Sequence, residues 1–247
     1  MRRGVVRILC CLIPIRKVRH AIRRHLRSMP KGIVDVFIID KNNKERLATS
    51  SETKHISVRE IGGHYKNNVI RIEDSVSDKL RLGIQISGNN SIFIGHNVRG
   101  ILHVDLLGDD NSVEINEGTT CNGVDVHLCG HKLVIGKDCM LAHQICIWGD
   151  SHSVLDYNTG AVLNKPNRPI IVGDHCWIGE RVTLTKNAQL PNDCIVGIAS
   201  VVTKKFTEEH SVIAGAPAKV VKTGITWHGV SPLKYEDFIK KEQVKNG

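Results

Sequence analysis

The sequence predicts an all-β chain wound into a parallel coil of short strands, and three observations lead there. Aliphatic residues recur every six positions through residues 172–201, a period that neither a helix at 3.6 nor a plain strand at 2 produces. Aromatic residues make up only 4% of the 247 residues, while Val, Ile, Leu and Gly are plentiful, a composition suited to strands stacked on tight turns. Looser upstream segments repeat at 20 to 21 residues, close to the length of one complete turn of such a coil.

Written in sixes from residue 172, the chain reads VGDHCW, IGERVT, LTKNAQ, LPNDCI, VGIASV. Val172, Ile178, Leu184, Leu190, Val196 and then Val202 take the first place, and Cys176, Val182, Ala188, Cys194 and Ser200 the fifth. A large aliphatic residue fills the interior of a prism, a compact one fits where the coil crowds near a corner, and Gly or Asn suits the strained turn. The frame extends back through Ile135, Leu141 and Ile147, with Cys139 and Ile145 in the compact places. Before that, GNNSIFI (88–94), DDNSVEI (109–115) and GHKLVI (130–135) echo one another, and NNVIRI (67–72) begins the series. The expected organisation is a lead-in over 1–59, a coil over 60–205 and a tail over 206–247 with a helix at 235–245.

The net charge of +9 suggests nucleic acid until it is located along the chain. Residues 1–34 hold ten Lys and Arg and no acidic residue, so the remainder, with 24 basic and 25 acidic residues, is close to neutral. The basic segment lacks the interleaved aromatics of a nucleic-acid surface, and nucleic acid is excluded as a partner. Over 1–29 a short apolar patch precedes a basic helical run with Val18, Ile22 and Leu26 at helical spacing. That run either lies on an anionic membrane surface or packs on the protein body. The patch over 5–15 is broken by Arg7 and Pro14 and is too short to span a bilayer. Eight cysteines without a CxxC pair, several at apolar-pattern places, read as reduced buried thiols and so as a cytoplasmic protein, at most associated with the inner face of the membrane.

From Ile147 to Val172 the spacing is 25 residues, which is no multiple of six. The coil is therefore interrupted by a loop over 148–169, rich in Asn, Gly, Pro and Asp and containing His152. A neutral imidazole is the side chain suited to taking a proton near neutral pH.

The hexads, with DSHSVLD, GDHCWIGERV, GIASVVTK and AGAPAKVVK in that order, resemble the sugar O-acetyltransferases of the hexapeptide-repeat family, those that decorate capsule, lipopolysaccharide or sialic-acid-containing glycans. The resemblance covers residues 60–227 and implies a left-handed coil, a property that period cannot supply because parallel crossovers elsewhere are right-handed. It further implies acetyl-coenzyme A as co-substrate, a glycan acceptor, no metal, and a homotrimer with each active site between neighbouring prisms. His152 then falls at the family's catalytic base, with Asp150 or Asp156 to orient the ring. Trp177 and Gly179 of the Trp-Ile-Gly pattern fall beside the acetyl-pantetheine arm, and Ile198 and Ala199 on the rung that lines its channel. Thr203, Lys204, Lys205, Lys219 and Lys222 are candidate contacts of the coenzyme phosphates, acting as point charges. His143 and Trp148, on either side of the last hexad before the loop, are candidate acceptor contacts. The chain departs from the family at Ile198 and Ala199, where Ala-Gly is usual, and at Glu180, where a small residue is usual.

Two other activities fit parts of the sequence. N-acetylation of an amino sugar would use the same scaffold. A zinc site across two subunits would need a His-x4-His pair inside the coil, and the pair so spaced, His20 and His25, lies in the basic segment.

Overall fold

The computed structural model describes residues 34–65, 68–73, 79–149, 152–164 and 169–245. The expected basic helical run over 1–29 lies outside them. The described chain is a parallel β-solenoid. One face is an eight-stranded sheet whose parallel members are β1 (Val34–Ile39), β4 (Asn68–Glu73), β6 (Asn90–Ile94), β8 (Asn111–Ile115), β10 (Lys132–Ile135), β13 (Ile170–Val172) and β16 (Gln189–Leu190). The short strand β2 (Glu45–Leu47) runs antiparallel to β1 and covers the edge of the first rung. The ladder thus begins at Val34, ahead of the expected start near residue 60. The reason is that VDVFII alternates with period two and has no hexad, yet β1 pairs with β4 in register over its whole length.

The other two faces emerge from single long strands. Upstream, β3 (Ile56–Tyr65), β5 (Leu80–Gly88), β7 (Arg99–Leu107) and β9 (Thr120–Cys129) pair consecutively in parallel. The first residues of β9 pair with β11 (Met140–Leu141), the head of a second face completed by β14 (Trp177–Ile178), β17 (Ile195–Val196) and β19 (Ser211–Gly215). Its later residues pair with β12 (Ile145–Trp148), which leads into β15 (Thr183–Thr185) and β18 (Val201–Val202) on the third. The bend between the two lies at Gly123, bulged out of register with β7 at φ 112°.

Register turns the hexad pattern into columns. Ile38, Ile72, Ile94, Ile115, Ile135, Val172 and Leu190 stack along the first face, and Ile84, Val104, Val126, Ile147, Leu184 and Val202 along the third. All of these are almost fully buried, as are the compact residues Cys176, Val182, Ala188, Cys194 and Ser200. In-register rungs roughly 4.8 Å apart place each aliphatic side chain on its equivalent above and below, so one continuous apolar column forms along the axis. Corner-to-corner bonds connect residues 22, then 21, then 20 positions apart, and 18 apart after the loop. Only the 18-residue rungs hold three clean hexads.

The strained place of each hexad is the fourth; Asn187 fills it as expected of Gly or Asn, and the other four hexads fill it with different residues. His175, Arg181, Asn187, Asp193 and Ala199 all have φ between 51° and 68°, at about 1–2 kcal/mol each for the residues with a Cβ. Polar ladders line the corners of the upstream rungs. Asn90 donates to the Asn68 side chain, and the Asn90 side-chain oxygen accepts both the backbone and side-chain N–H of Asn111 at 2.9 Å. The Asn111 side chain also donates to the Leu107 carbonyl at 3.0 Å and accepts the His131 N–H at 3.1 Å. Asn111→Ala leaves these buried groups without their partner. We expect a loss of about 3 kcal/mol, measured as a lower midpoint of thermal unfolding.

At another corner Thr119, Cys139, Cys176, Cys194 and Ser211 form a second ladder, in which Cys139 and Cys176 donate S–H to the carbonyls of Gly173 and Pro191. The described cysteines are all free thiols. Burial pushes the Cys121 thiol up to about 12, so it packs as a small hydrophobe. Past β18, Phe206 and the hairpin of β19 with the antiparallel β20 (Ala218–Thr223) cover the last rung. Helix α1 (Pro232–Lys245) closes the described chain, starting three residues ahead of expectation because Pro232 suits a helix's first turn. No described helix is long and apolar enough to cross a membrane.

Candidate active site

The loop leaves the coil at the corner between the third and first faces, after β12 and before β13. Its root is fixed by packing. Gly149 donates its N–H to the His127 carbonyl at 2.8 Å, and a Cβ there would meet the buried His131 ring at 2.7 Å, so only glycine fits. Beyond the root the chain folds into a small antiparallel excursion with a bridge between Leu155 and Val162. Asn164 holds its base: the side-chain oxygen accepts the Val154 N–H at 2.7 Å, and the side-chain N–H donates to the His152 carbonyl at 2.8 Å. The His152 side chain is exposed and stands on a backbone pinned from across the loop.

Asp156 lies at the tip. One of its oxygens accepts from the backbone N–H groups of Asn158 and Thr159 and from the Thr159 hydroxyl, and these bonds, those of Thr159 foremost, hold its carboxyl below the usual range. Asp156 therefore shapes the turn. Asp150 lies outside the described residues.

The expected coenzyme residues divide between two places: Trp177, Gly179, Ile198, Ala199 and the lysines of β20 belong to the second face and its corner with the third, while Thr203, Lys204 and Lys205 follow β18 at the corner from which the loop leaves, Lys205 bridging to Gln189 of β16. Trp177 projects outward from β14 and is 42% exposed. The chain returns to it from far along the sequence: the Trp227 indole N–H donates to the His175 carbonyl at 2.8 Å, its ring stacks on His175 at 4.7 Å, and it lies 6.2 Å from Trp177. His175 is in turn anchored to Asp193 at 2.7 Å. At Gly179 a Cβ would stand 2.8 Å from the Ile198 N and the Val196 O, so the rungs meet there without room for a side chain. The Ala199 N–H donates to the Glu180 carbonyl, while Ile198 and Glu180 face solvent. Ala199 thus adopts the left-handed turn in which the family's usual glycine would be unstrained.

Thr203, Lys204 and Lys205 follow β18 at the end of the coil, all exposed, with the Lys204 ammonium 5.3 Å from the Phe206 ring centre. Lys219 and Lys222 project from β20. His143 is exposed beside the corner of its rung, its carbonyl accepting the Arg181 N–H. Trp148, at the loop root on the third face, packs its ring 4.6 Å from that of His127. Within one chain, then, the loop and the Trp177 wall occupy different corners of the prism. Among the described residues no group of three His, Cys, Asp or Glu side chains converges on a point.

Sequence reasoning missed Asn164 and Trp227. Asn164 is one polar residue among many in an aperiodic loop, and Trp227 reaches its partner across 52 residues. Rarity was the available signal for Trp227, one of three tryptophans.

Among curated proteins, the chain is 36% identical over 192 residues to the polysialic acid O-acetyltransferase of Neisseria meningitidis, covering 75% of this chain and 86% of that protein. It is 27% identical over 161 residues to a putative lipopolysaccharide biosynthesis O-acetyl transferase of Escherichia coli, covering 58% and 77%. The solved structure of the polySia-specific acetyltransferase NeuO superposes with a TM-score of 0.57 at 23% identity, covering 78% of this chain and 100% of that one. That likeness fixes the coil as a left-handed parallel β-helix. No family model matches the chain.

Proposed function

Because the chain belongs to the hexapeptide-repeat O-acetyltransferases, the family of the polysialic acid O-acetyltransferase of Neisseria meningitidis, we propose that it transfers acetyl from acetyl-coenzyme A to a sugar hydroxyl of a bacterial surface glycan. The observation that carries the reading is the long excursion that interrupts the coil after β12, which presents His152 on a backbone pinned by Asn164.

In this reading the thioester lies along the Trp177 wall. The exposed indole and Ile198 offer apolar contact to the pantetheine arm. The lysines at the end of the coil and on β20 supply positive charge for the coenzyme phosphates. The imidazole of His152 takes the acceptor proton as the hydroxyl oxygen attacks the carbonyl carbon. The tetrahedral adduct collapses with loss of the coenzyme thiolate, which the imidazolium protonates, so no acyl-enzyme is required. Asp150, two positions from His152 in sequence, is our candidate to orient the ring, since Asp156 spends its hydrogen bonds on the turn.

Because loop and wall sit at different corners of one prism, we assign the complete site to the cleft between neighbouring subunits of a homotrimer. The basic run over 1–29, ahead of the first rung, is proposed to touch the inner membrane surface.

The test is incubation with acetyl-coenzyme A and a panel of surface-type glycans while free thiol is recorded. Thiol release that depends on a glycan, with a product cleaved by mild hydroxylamine, supports the reading. Release without any glycan dependence, or a hydroxylamine-stable amide product, defeats it.

A further inference from the structure

The loop root carries an outward column that the proposed chemistry does not use. In-register pairing places Asp105 of β7, His127 of β9 and Trp148 of β12 one above the other on the third face. The Asp105 carboxylate lies 3.1 Å from the His127 ring nitrogen, and the imidazole stacks against the indole at 4.6 Å with a tilt of 40°. Trp148 nevertheless stays 44% exposed. An exposed indole on a solvent-facing column adds nothing to the core, while the polar pair beneath it presents both an acceptor and a donor.

A flat apolar ring beside a carboxylate and an imidazole is complementary to a sugar ring, which has an apolar C–H face and a rim of hydroxyls. The charge of the face narrows the class. The adjoining column pairs His103 with Asp125, the exposed Arg59 of β3 stands in the Asp105 column two rungs beyond it and farther still from Trp148, and no Lys or Arg occurs in residues 101–107, 124–129 or 145–148. A sugar carboxylate here would meet Asp105 and Asp125 with no cation provided by these strands, whereas hydroxyls are served by both.

Resting on the acetyl-transfer reading, we propose that Trp148, His127 and Asp105 form a second sugar subsite, which holds an uncharged pyranose unit of the acceptor next to the unit presented to His152. The acceptor is accordingly an oligosaccharide or polymer containing neutral sugars, and the protein engages more than one unit of it.

An array of neutral and sialylated oligosaccharides, probed with labelled full-length protein, tests this. The wild type is expected to bind neutral members, Trp148→Ala to weaken that binding by about fivefold to tenfold, and Trp148→Phe to retain most of it. Circular dichroism of both variants establishes that the coil is intact. Binding that is indifferent to Trp148, confined to sialylated members, or absent overturns the subsite. Thiol release from acetyl-coenzyme A in the same preparations separates the two readings. Release that persists beside a negative array leaves acetyl transfer standing without the subsite. A Trp148-dependent array signal without release leaves a glycan-binding face without the transferase.

Discussion

His152→Ala is expected to lower kcat for acetyl transfer by about 10²- to 10⁴-fold, the range over which a positioned general base contributes. A sugar hydroxyl is a poor nucleophile until its proton is removed, and residues 148–169 hold no second histidine to take over as base. The fold should not notice. It is the backbone carbonyl of His152, unaltered by the substitution, that accepts from Asn164, and the side chain is exposed. The melting temperature and the KM for acetyl-coenzyme A are therefore expected to stay close to wild type, and the loss to appear in kcat alone. Steady-state kinetics on the purified variant provide the check. A variant retaining near wild-type turnover would remove His152 from the mechanism while leaving the family membership untouched.

The second large effect concerns the bend in the long strands. Gly100 has φ 112°, and a Cβ built on it stands 1.9 Å from the Cys121 carbonyl oxygen of the next rung. Gly100→Ala thus combines backbone strain of roughly 1–3 kcal/mol with a collision against backbone that in-register pairing holds in place. We expect a total cost above about 4 kcal/mol, seen as insoluble protein or a melting point lowered by about 10 °C or more. Gly108→Ala is the matched control. Gly108 also has a positive φ, at 74°, but no neighbouring atom lies within 4 Å of the added methyl, so it should lose only the strain. Comparable melting points for the two variants would show that rung-to-rung contact at this bend is looser than the structure has it.

Sequence and structure agree best where one rung equals three hexads. Val172 to Val202 carry a strict six-residue pattern because each prism face there is a strand of two or three residues, so every inward place recurs on schedule. Upstream, two faces merge into strands such as β9, ten residues long and bent at a bulged glycine. Rungs of 20 to 22 residues cannot display a hexad, which is why Val34–Ile39 reads as an ordinary strand. The site divides in the same way. The positions of His152 in an excursion and of Trp177 on the outside of its rung were legible because one falls where the period breaks and the other at a defined place within it. Asn164, Trp227 and the column of Asp105, His127 and Trp148 act through contacts between distant parts of the chain, and only pairing register brings those parts together.

The interruption of the coil also bears on how such a protein can diversify. Residues on either side of the loop stay locked in consecutive rungs: Lys137 and Asp174 are hydrogen-bonded across it though 37 positions apart, and Trp148 keeps its register with Thr185. The endpoints of the excursion are therefore fixed by the ladder and not by its own sequence. Closing a longer segment between fixed ends costs little, about 0.6 kcal/mol for each doubling of length. Insertions, deletions and recombination between His152 and Ile170 should be tolerated by the fold, while the Trp177 wall stays unchanged. Preference for a new glycan can thus evolve in one short stretch of the gene without renegotiating either the coil or the acetyl donor.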